Sequence, residues 1–344
     1  MKTSGKVTIR DIAGYCNVSV ATVSRVLNEN YYVTPETKQR VQKAIQHFNY
    51  SPNNIARSLK LNRTGIIGYI TSDISNNYHI TVAKAIEDVI RPNNYNLIVC
   101  SSNNSKEAEE KYLKSLAGMH ADALVLNSWG KNDALILELN RTIPMILVNR
   151  RLNTPGFHGD LADCNNVLGM YLLAKELIKC GHKRILLIEG PSHLSNVQER
   201  FSGFQKAMKE NGIEVTENYP YRLEGNFSIE SGFQAVNFWL SLPEESRPTA
   251  ILGTNNLTTL GAMKGIIHHQ LNVPQQLSIA GFNSIEHLEM MRFQPTVAAF
   301  DPYKIGHAAG MAVLERIQDN SIENREYIFA PEICPGNGIS SILS

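Results

Sequence analysis

The chain has 344 residues, of which 43% are hydrophobic and 19% are charged. This composition excludes a disordered, collagen-like or disulfide-scaffold protein, and the length suffices for two or three hydrophobic cores. The net charge of +1 conceals an asymmetry, because ten basic and three acidic side chains lie up to Arg63, against 23 basic and 29 acidic ones after it. A basic N-terminal segment before a mildly acidic remainder indicates a polyanion-binding module joined to a different domain.

The cysteine pattern and the hydropathy indicate the compartment. The five cysteines are scattered without a CxxC pair, so neither a disulfide framework nor a zinc site is expected. No stretch resembles the apolar part of a signal peptide or a membrane span. We therefore expect a soluble cytoplasmic protein with reduced thiols, no membrane association, no metal and no cofactor.

Residues 1–50, which we call the head, predict three short helices. Thr8 is placed to cap the first helix, with Asp11 completing a capping box. Ser19 caps the second helix, Val20–Asn28, and Thr34-Pro35 begins the third. Two short helices joined by a tight turn and followed by a third predict a helix-turn-helix DNA-binding domain.

The outward residues of the second helix suit the major groove of DNA. Arg25 can donate two hydrogen bonds to the O6 and N7 atoms of a guanine, and Val20 and Ala21 can contact a thymine methyl group. The N-terminus of the helix supplies N–H groups for phosphates. The alternative, a solvated basic surface, does not account for this combination.

These residues carry a family resemblance. TIRDIAGYCNVSVATVSRVLN (Thr8–Asn28) resembles the signature of the LacI/GalR family of bacterial transcription regulators, and Val33–Lys60 resembles the third helix and hinge of that family. The resemblance implies that Val20, Ala21 and Arg25 read the major groove, while other positions contact the DNA backbone. The full set of expected DNA-contacting residues is Thr8, Ser19, Val20, Ala21, Thr22, Ser24, Arg25, Asn28, Tyr32, Asn53, Ala56 and Leu59.

Residues 51–62 predict a hinge helix and linker. Ser51-Pro52 can begin a helix of barely two turns, which is marginal by itself and should form only against its dimer mate and DNA. Leu59 is interpreted as a minor-groove wedge that kinks the duplex, as the matching leucine of the family does. The alternative is that Leu59 packs on the following domain.

Residues 63–344, which we call the body, alternate short β-branched runs with helical stretches. Continuous apolar strands between helices predict parallel sheets covered on both faces. The pattern restarts near Asp163, which indicates two lobes. The predicted fold is therefore α/β, with a helix-turn-helix head, a hinge helix and a two-lobed, doubly wound, parallel-sheet body. The family resemblance implies that this body is an effector and dimerisation domain similar to periplasmic binding proteins.

The family topology implies that the chain crosses between the lobes three times. We place these crossings near Ala162–Asn165, Phe300 and Glu326. The first lobe then comprises residues 63–163 and 300–326, and the second comprises residues 164–299 and 327–344.

Polar residues at the strand ends predict the effector site, because ligands of such sheets bind beyond the carboxyl ends of the strands. Amides, hydroxyls, an arginine and an aromatic ring suit a polyhydroxylated ligand. Seven of these residues match positions at which family members contact small effectors, and His193 is added from its position after a strand. The expected effector-binding residues are Ser72, Asn76, Asn149, His193, Arg200, Phe227, Asn255 and Asn283.

Two departures from the family pattern affect the ligand. Many members carry TND and GFDD where this chain has TNN at Thr254–Asn256 and GFNS ending at Ser284. Without an acid at position 283, Arg200 loses a counter-charge, which favours an anionic ligand such as a sugar phosphate or a sugar acid. A neutral sugar remains the alternative.

Together these features predict a homodimeric repressor that binds a near-palindromic operator and is controlled by a small effector, a sugar or sugar derivative. No leucine heptad that would join dimers into tetramers is present at the C-terminus. A solute-binding protein would not explain the basic head, and an enzyme would need a catalytic set, of which no motif is found. The sequence leaves open the choice between inducer and corepressor, and the use of a phosphoprotein corepressor.

Overall fold

The computed structural model describes residues 7–28, 31–50 and 63–343. The chain forms two units, Met1–Thr64 and Gly65–Ser344. Over the described ranges, no helix is long and apolar enough to cross a membrane. The predicted hinge, with Asn53, Ala56 and Leu59, lies outside the described residues, as does the side chain of Asn28.

The first unit contains three helices, α1 (Ile9–Tyr15), α2 (Val20–Asn28) and α3 (Pro35–His47). Each begins at a capping residue. The Thr8 N–H donates to the Asp11 carboxylate at 2.8 Å and the Asp11 N–H donates to the Thr8 hydroxyl at 3.4 Å, which confirms the predicted capping box. The caps satisfy backbone groups that would otherwise lack partners at the helix starts, and this fixes where each helix begins.

One apolar stripe from each helix forms the core of the first unit. Short helices are marginal alone, so this shared core is what holds the three together. Its buried members are Ile12, Ala13, Cys16, Val23, Val26, Val41 and Ala44.

The second unit contains two six-stranded sheets. The strands of the first sheet are β1 (Ile66–Thr71), β2 (Asn96–Ser101), β3 (Ala123–Leu126), β4 (Met145–Val148), β5 (Gly159–Cys164) and β11 (Glu326–Phe329). Their order is β11-β5-β4-β3-β1-β2, and all of the pairs are parallel.

The second sheet repeats this plan with one reversal. Its strands are β6 (Ile185–Glu189), β7 (Arg222–Glu224), β8 (Ala250–Gly253), β9 (Ser278–Phe282), β10 (Thr296–Ala299) and β12 (Glu332–Cys334). The order is β12-β10-β9-β8-β6-β7, and only the edge strand β12 runs antiparallel to its neighbour.

Helices cover both faces of each sheet. They are α4 (Asn77–Ile90), α5 (Lys106–Gly118), α6 (Asp133–Asn140), α7 (Asn166–Lys179), α8 (Ser195–Glu210), α9 (Ile229–Ser241), α10 (Asn256–His268) and α11 (Pro302–Gln318). Short 3₁₀ turns lie at Arg91–Asn93, Glu244–Ser246 and Leu288–Met290. We call the first sheet with α4–α6 and α11 the first lobe, and the second sheet with α7–α10 the second lobe.

The apolar runs of the strands are buried on both sides, as parallel sheets require. In the first lobe Ile67 packs on one face with Val82, and Ile70 packs on the other with Leu113. The second lobe likewise has a hydrophobic cluster on each face of its sheet. The predicted two-lobed, doubly wound fold is therefore confirmed.

The chain passes between the sheets after Cys164, after Ala299 and after Phe329. The last passage differs from the position near Glu326 indicated by the sequence. Glu326–Phe329 forms β11, which pairs in parallel with β5 of the first sheet, and the chain enters the second sheet only with β12. The residues of β11 consequently belong to the first lobe.

Candidate functional site

In the first unit, α2 presents a face of small and basic side chains. Val20 is 41% exposed, Ala21 and Arg25 are also exposed, and Val23 and Val26 on the opposite side are buried. The Arg25 guanidinium lies 5.6 Å from the centre of the Tyr31 ring. The helix can therefore present Arg25 and two small apolar side chains to a groove without disturbing its core.

Two of the other expected DNA contacts of this unit, Ser19 and Thr8, also cap helices. Ser19 caps α2, with its hydroxyl accepting from the Thr22 N–H at 3.1 Å. Thr8 is an exposed helix cap, and Tyr32 is exposed in the segment before α3. Thr22 and Ser24 are partly exposed on α2. All five are accessible to a phosphate backbone.

In the second unit, a cavity lies between the lobes at the carboxyl ends of their strands. About 560 Å³ within it is not occupied by protein atoms, and part of this space opens to solvent. Polar side chains dominate the lining. From the first lobe these residues are Ser72, Asp73, Asn76, Tyr78, His79, Asn104, Asn127, Asn149 and Arg150, and from the second lobe they are Asn196, Arg200, Phe227, Asn255, Asn256, Leu257 and Asn283.

Seven of the eight expected effector residues line this cavity, and His193 does not. The His193 Nε2 atom lies 3.0 Å from the Trp129 carbonyl oxygen, and the two rings meet edge to face at 5.1 Å. His193 follows β6 but precedes α8, and from this turn its side chain reaches the loop after β3. It is a contact between the lobes rather than a lining residue.

Several lining residues are absent from the expected effector-binding set, above all Arg150, which the sequence places among the polar residues at the strand ends, and His79, which the sequence did not indicate. Arg150 directly follows Asn149 at the end of an otherwise apolar strand, and that isolated charge was a signal that it could serve the site. His79 lies in the first turn of α4, three residues after its cap Asn76, so it faces the same end of the sheet. Asn127 directly follows β3 and so lies at the same end of the sheet.

Arg200 is held from several directions. It is only 6% exposed, its Nε donates to Asn166 Oδ1 at 2.8 Å, and its Nη1 donates to the Thr254 carbonyl at 2.8 Å. Its guanidinium also lies 4.2 Å from the centre of the Phe282 ring. These contacts fix the orientation of Arg200 at the wall of the cavity.

Arg150 is less engaged. It is 5% exposed, its Nη1 donates to the Ser128 carbonyl at 3.0 Å, and its buried Nε has no hydrogen-bond partner. Burial and the neighbouring positive charge of Arg200 lower the pKa of Arg150 to about 10, which still leaves it charged at neutral pH. Within residues 63–343, no carboxylate forms an ion pair with either Arg150 or Arg200.

Phe227 forms an apolar surface near both guanidinium groups, at 5.9 Å from Arg150 and 6.0 Å from Arg200. Its position depends on Gly190 at the end of β6, because a Cβ atom there would lie 2.2 Å from the Phe227 ring. Phe227, Asn149 and Asn283 all have a positive φ, at 61°, 63° and 71°. Strained backbone of this kind is concentrated at ligand sites.

His79 is a neutral member of the cavity wall. Its Nε2 lies 3.0 Å from the Ser72 hydroxyl and its Nδ1 lies 3.4 Å from Asn127 Nδ2. Burial, and secondarily the charge of Arg150, lower the pKa of His79 to about 3. Since Asn127 Nδ2 can only donate, Nδ1 accepts, and the ring proton on Nε2 is directed to Ser72.

The lining contains several buried polar atoms without a hydrogen-bond partner. These atoms are Asn104 Oδ1, Asn127 Oδ1, Asn149 Nδ2, Arg150 Nε, Asn196 Oδ1 and Asn283 Oδ1. Buried polar groups are nearly always hydrogen-bonded, so their concentration here indicates a site for a polar ligand. Among the described residues, no group of three or more His, Cys, Asp or Glu side chains could hold a metal ion.

Comparison with known protein families gives two matches. "Bacterial regulatory proteins, lacI family" matches residues 8–53, and "Periplasmic binding proteins and sugar binding domain of LacI family" matches residues 64–330. The HTH-type transcriptional repressor PurR of Haemophilus influenzae (strain PittEE) is 33% identical over 341 residues, which cover 98% of this chain and 99% of the relative. PurR of Aliivibrio fischeri (strain ATCC 700601 / ES114) is 32% identical over 339 residues, with 98% and 99% coverage.

Solved structures give the same fold. The lac repressor dimer bound to operator and the anti-inducer ONPF is similar with a TM-score of 0.82 and 24% identity, covering 98% of this chain and 100% of that one. A complex of the transcriptional regulator CelR with cellobiose has a TM-score of 0.72 and 22% identity, with 96% and 99% coverage.

Proposed function

Because this chain belongs to the LacI family of bacterial regulatory proteins, we propose that it represses transcription from a near-palindromic operator under the control of a small sugar derivative. Membership makes the chain a DNA-binding transcriptional repressor with an effector domain, and not an enzyme. The identity of the effector, the residues that bind it and the assembly are the parts that we propose.

The observation that carries the choice of effector is the composition of the cavity between the lobes. Its amides can donate to and accept from hydroxyl groups, and the Phe227 ring can pack on the C–H face of a sugar. Arg150 and Arg200 add two positive charges that no carboxylate pairs within residues 63–343. A sugar phosphate or sugar acid satisfies both features, whereas a neutral sugar satisfies only the first.

The effector would act by linkage between two sites. A ligand that contacts both lobes stabilises one arrangement of them, and an arrangement that favours or disfavours a formed hinge changes the affinity for DNA. Each head reads one half-site, so two copies are needed for a near-palindromic operator. We therefore propose a homodimer, which agrees with the dimeric state of the lac repressor in its operator complex.

The division of the chain follows from the same proposal. Residues 1–50 bind DNA, residues 51–62 form the hinge, and the remainder binds the effector and the second subunit. The contacts of Asn53, Ala56 and Leu59 with DNA are part of this proposal, as are those of the α2 residues.

A planar nucleobase is a second candidate effector. The Phe227 ring could stack on it, and the amide groups of Asn149, Asn196 and Asn283 could bind its edge. This candidate does not use the two positive charges, which is why we rank it second.

A thermal-shift screen with the full-length protein tests the proposal, since a compound that binds only the folded state raises the melting temperature. The panel comprises neutral sugars, their phosphates, sugar acids and nucleobases, and each compound that binds is then tested for its effect on operator affinity. We expect sugar phosphates or sugar acids to stabilise the protein and to change DNA binding. Stabilisation by nucleobases alone would favour the second candidate, and binding without any change in operator affinity would contradict effector control.

A further inference from the structure

We propose that Arg150, on the first lobe, binds the negatively charged group of the effector, and that Arg200 does not. This inference rests on the proposed function and specifies which side of the cavity receives the charge. It differs from the expectation from the sequence, in which Arg200 is the residue that meets an anion.

The contacts of Arg200 engage two of its three side-chain nitrogen atoms. Its Nε and Nη1 already donate to Asn166 and to the Thr254 carbonyl, and the face of its guanidinium lies on Phe282. A bidentate pair formed by Nε and Nη2 could meet an anion only if Asn166 were released. Its geometry is that of a residue that holds α7 and α8 to the end of β8.

Arg150 has the opposite character. It is as buried as Arg200, but only its Nη1 has a partner, and its Nε is a buried donor that faces no acceptor. A charged donor in this state is costly unless an acceptor meets it when the ligand binds. A carboxylate or phosphate oxygen in the cavity would supply that acceptor and compensate the charge.

A second donor lies beside it on the same lobe. The Tyr78 hydroxyl donates to Asn149 Oδ1, so this amide is oriented with its Nδ2 as the free donor, and Nδ2 is buried without a partner. Arg150 Nε and Asn149 Nδ2 are thus two donors from consecutive residues at the end of β4. Two adjacent donors suit a group that only accepts, which is what an ionised acid offers.

The test measures anion binding by full-length protein with inorganic phosphate and acetate as probes, by calorimetric titration and thermal shift. Arg150→Gln removes the charge at similar length, Arg150→Lys keeps the charge, and Arg200→Lys is the matched variant on the other lobe. We expect Arg150→Gln to weaken the preferred anion by about tenfold or more, and Arg150→Lys and Arg200→Lys by about threefold or less. The better of the two probes identifies the charged group as a phosphate or a carboxylate.

The wild type and the three variants have the same basic head. Differences in anion affinity among the four proteins therefore arise from the cavity. The proposal would be overturned if Arg200→Lys weakened anion binding as much as Arg150→Gln or more. It would also be overturned if Arg150→Gln left the anion affinity unchanged. Circular dichroism and the melting temperature without ligand verify that each variant folds, and Arg150→Lys provides the test if Arg150→Gln does not. Absence of anion binding by the wild type, together with binding of a neutral sugar in the screen, would reject this inference and leave the proposed function intact.

Discussion

Asn76 and Asn256 exchange two amide hydrogen bonds across the cavity, with donor–acceptor distances of 3.2 Å and 3.0 Å. Asn76 caps α4 of the first lobe, and Asn256 is the first residue of α10 in the second lobe. The Tyr78 N–H donates to Asn76 Oδ1 and the Leu257 N–H donates to Asn256 Oδ1, so both amides have a defined orientation. The pair is therefore a direct link that holds the lobes together on this side of the cavity.

Replacing one amide of this link by a carboxylate should favour a more open arrangement of the lobes. In Asn256→Asp the new side chain can accept from Asn76 Nδ2, but it cannot donate, so Asn76 Oδ1 would face a negatively charged acceptor. We expect a larger radius of gyration by small-angle X-ray scattering and weaker effector binding by about threefold to tenfold. The control is Asn218→Asp, an exposed asparagine of the same unit that is not in the cavity. Scattering identical to that of the wild type would show that the pair does not hold the lobes.

The neutral state of His79 should appear in the pH dependence of stability. Its pKa is about 3 in the folded protein, below the ordinary value of 6.5, so the unfolded chain binds more protons between these values. The stability that His79 contributes is thus complete above pH 6.5 and is lost as the pH falls toward 3. At pH 5 the loss is about 2 kcal/mol relative to pH 8.

We expect His79→Gln to remove this acid-side loss, because glutamine can still donate to Ser72 and does not titrate. Denaturant unfolding at pH 5 and pH 8 gives the difference for each protein. Asp163 contributes with the opposite sign, since burial raises its pKa to about 7 and its contribution is lost as the pH rises through that value. This contribution is common to both proteins and cancels. The same pH 5 to pH 8 difference in wild type and variant would argue against a buried neutral His79.

Arg25 should determine base preference rather than overall DNA affinity. It is the residue of the exposed α2 face that can bind guanine through two hydrogen bonds, so Arg25→Ala should cost about 1–3 kcal/mol at the specific site. Lys43→Ala, which alters an exposed basic residue of α3, should weaken specific and random DNA alike. Fluorescence anisotropy with operator and scrambled duplexes at one salt concentration measures both. An unchanged ratio of the two affinities in Arg25→Ala would mean that a different face of α2 meets the bases.

The features that the sequence predicted correctly depend on local patterns. The Thr8–Asp11 capping box, the Ser19 cap and the apolar stripe of α2 each involve residues close in the chain. The alternation of strands and helices in the body is local in the same sense. A helix period and a capping residue are visible in a short segment, so these elements need no knowledge of the tertiary structure.

The errors arise where distant segments decide the outcome. His193 lies at a strand end as predicted, but Trp129 of the other lobe determines where its side chain points. Arg150 was placed at the strand end but left out of the expected effector-binding set. Successive residues of a strand normally face opposite sides, whereas the left-handed backbone at Asn149 allows both to line the cavity. The sheet to which Glu326–Phe329 belongs is likewise set by pairing with β5, far away in the chain.

The absence of a side chain at Gly190 leaves the space that the Phe227 ring occupies. A Cβ atom at position 190 would lie 2.2–2.5 Å from three atoms of the Phe227 ring, so Gly190→Ala must displace that ring. We expect effector affinity to fall by about tenfold or more and the melting temperature to decrease. Gly118→Ala, at the end of α5, is the matched control. Apart from the neighbouring residues and the backbone of its own helix, no atom lies within 4 Å of the added carbon.

The double variant Gly190→Ala, Phe227→Ala separates the two effects of the clash. Removing the ring relieves the overlap, so part of the lost stability should return relative to Gly190→Ala alone, while effector binding should stay weak because the apolar surface beside both guanidinium groups is gone. Thermal unfolding and calorimetric titration with the compound found in the screen provide the two readouts. Recovery of binding in the double variant would show that the effector does not pack on Phe227.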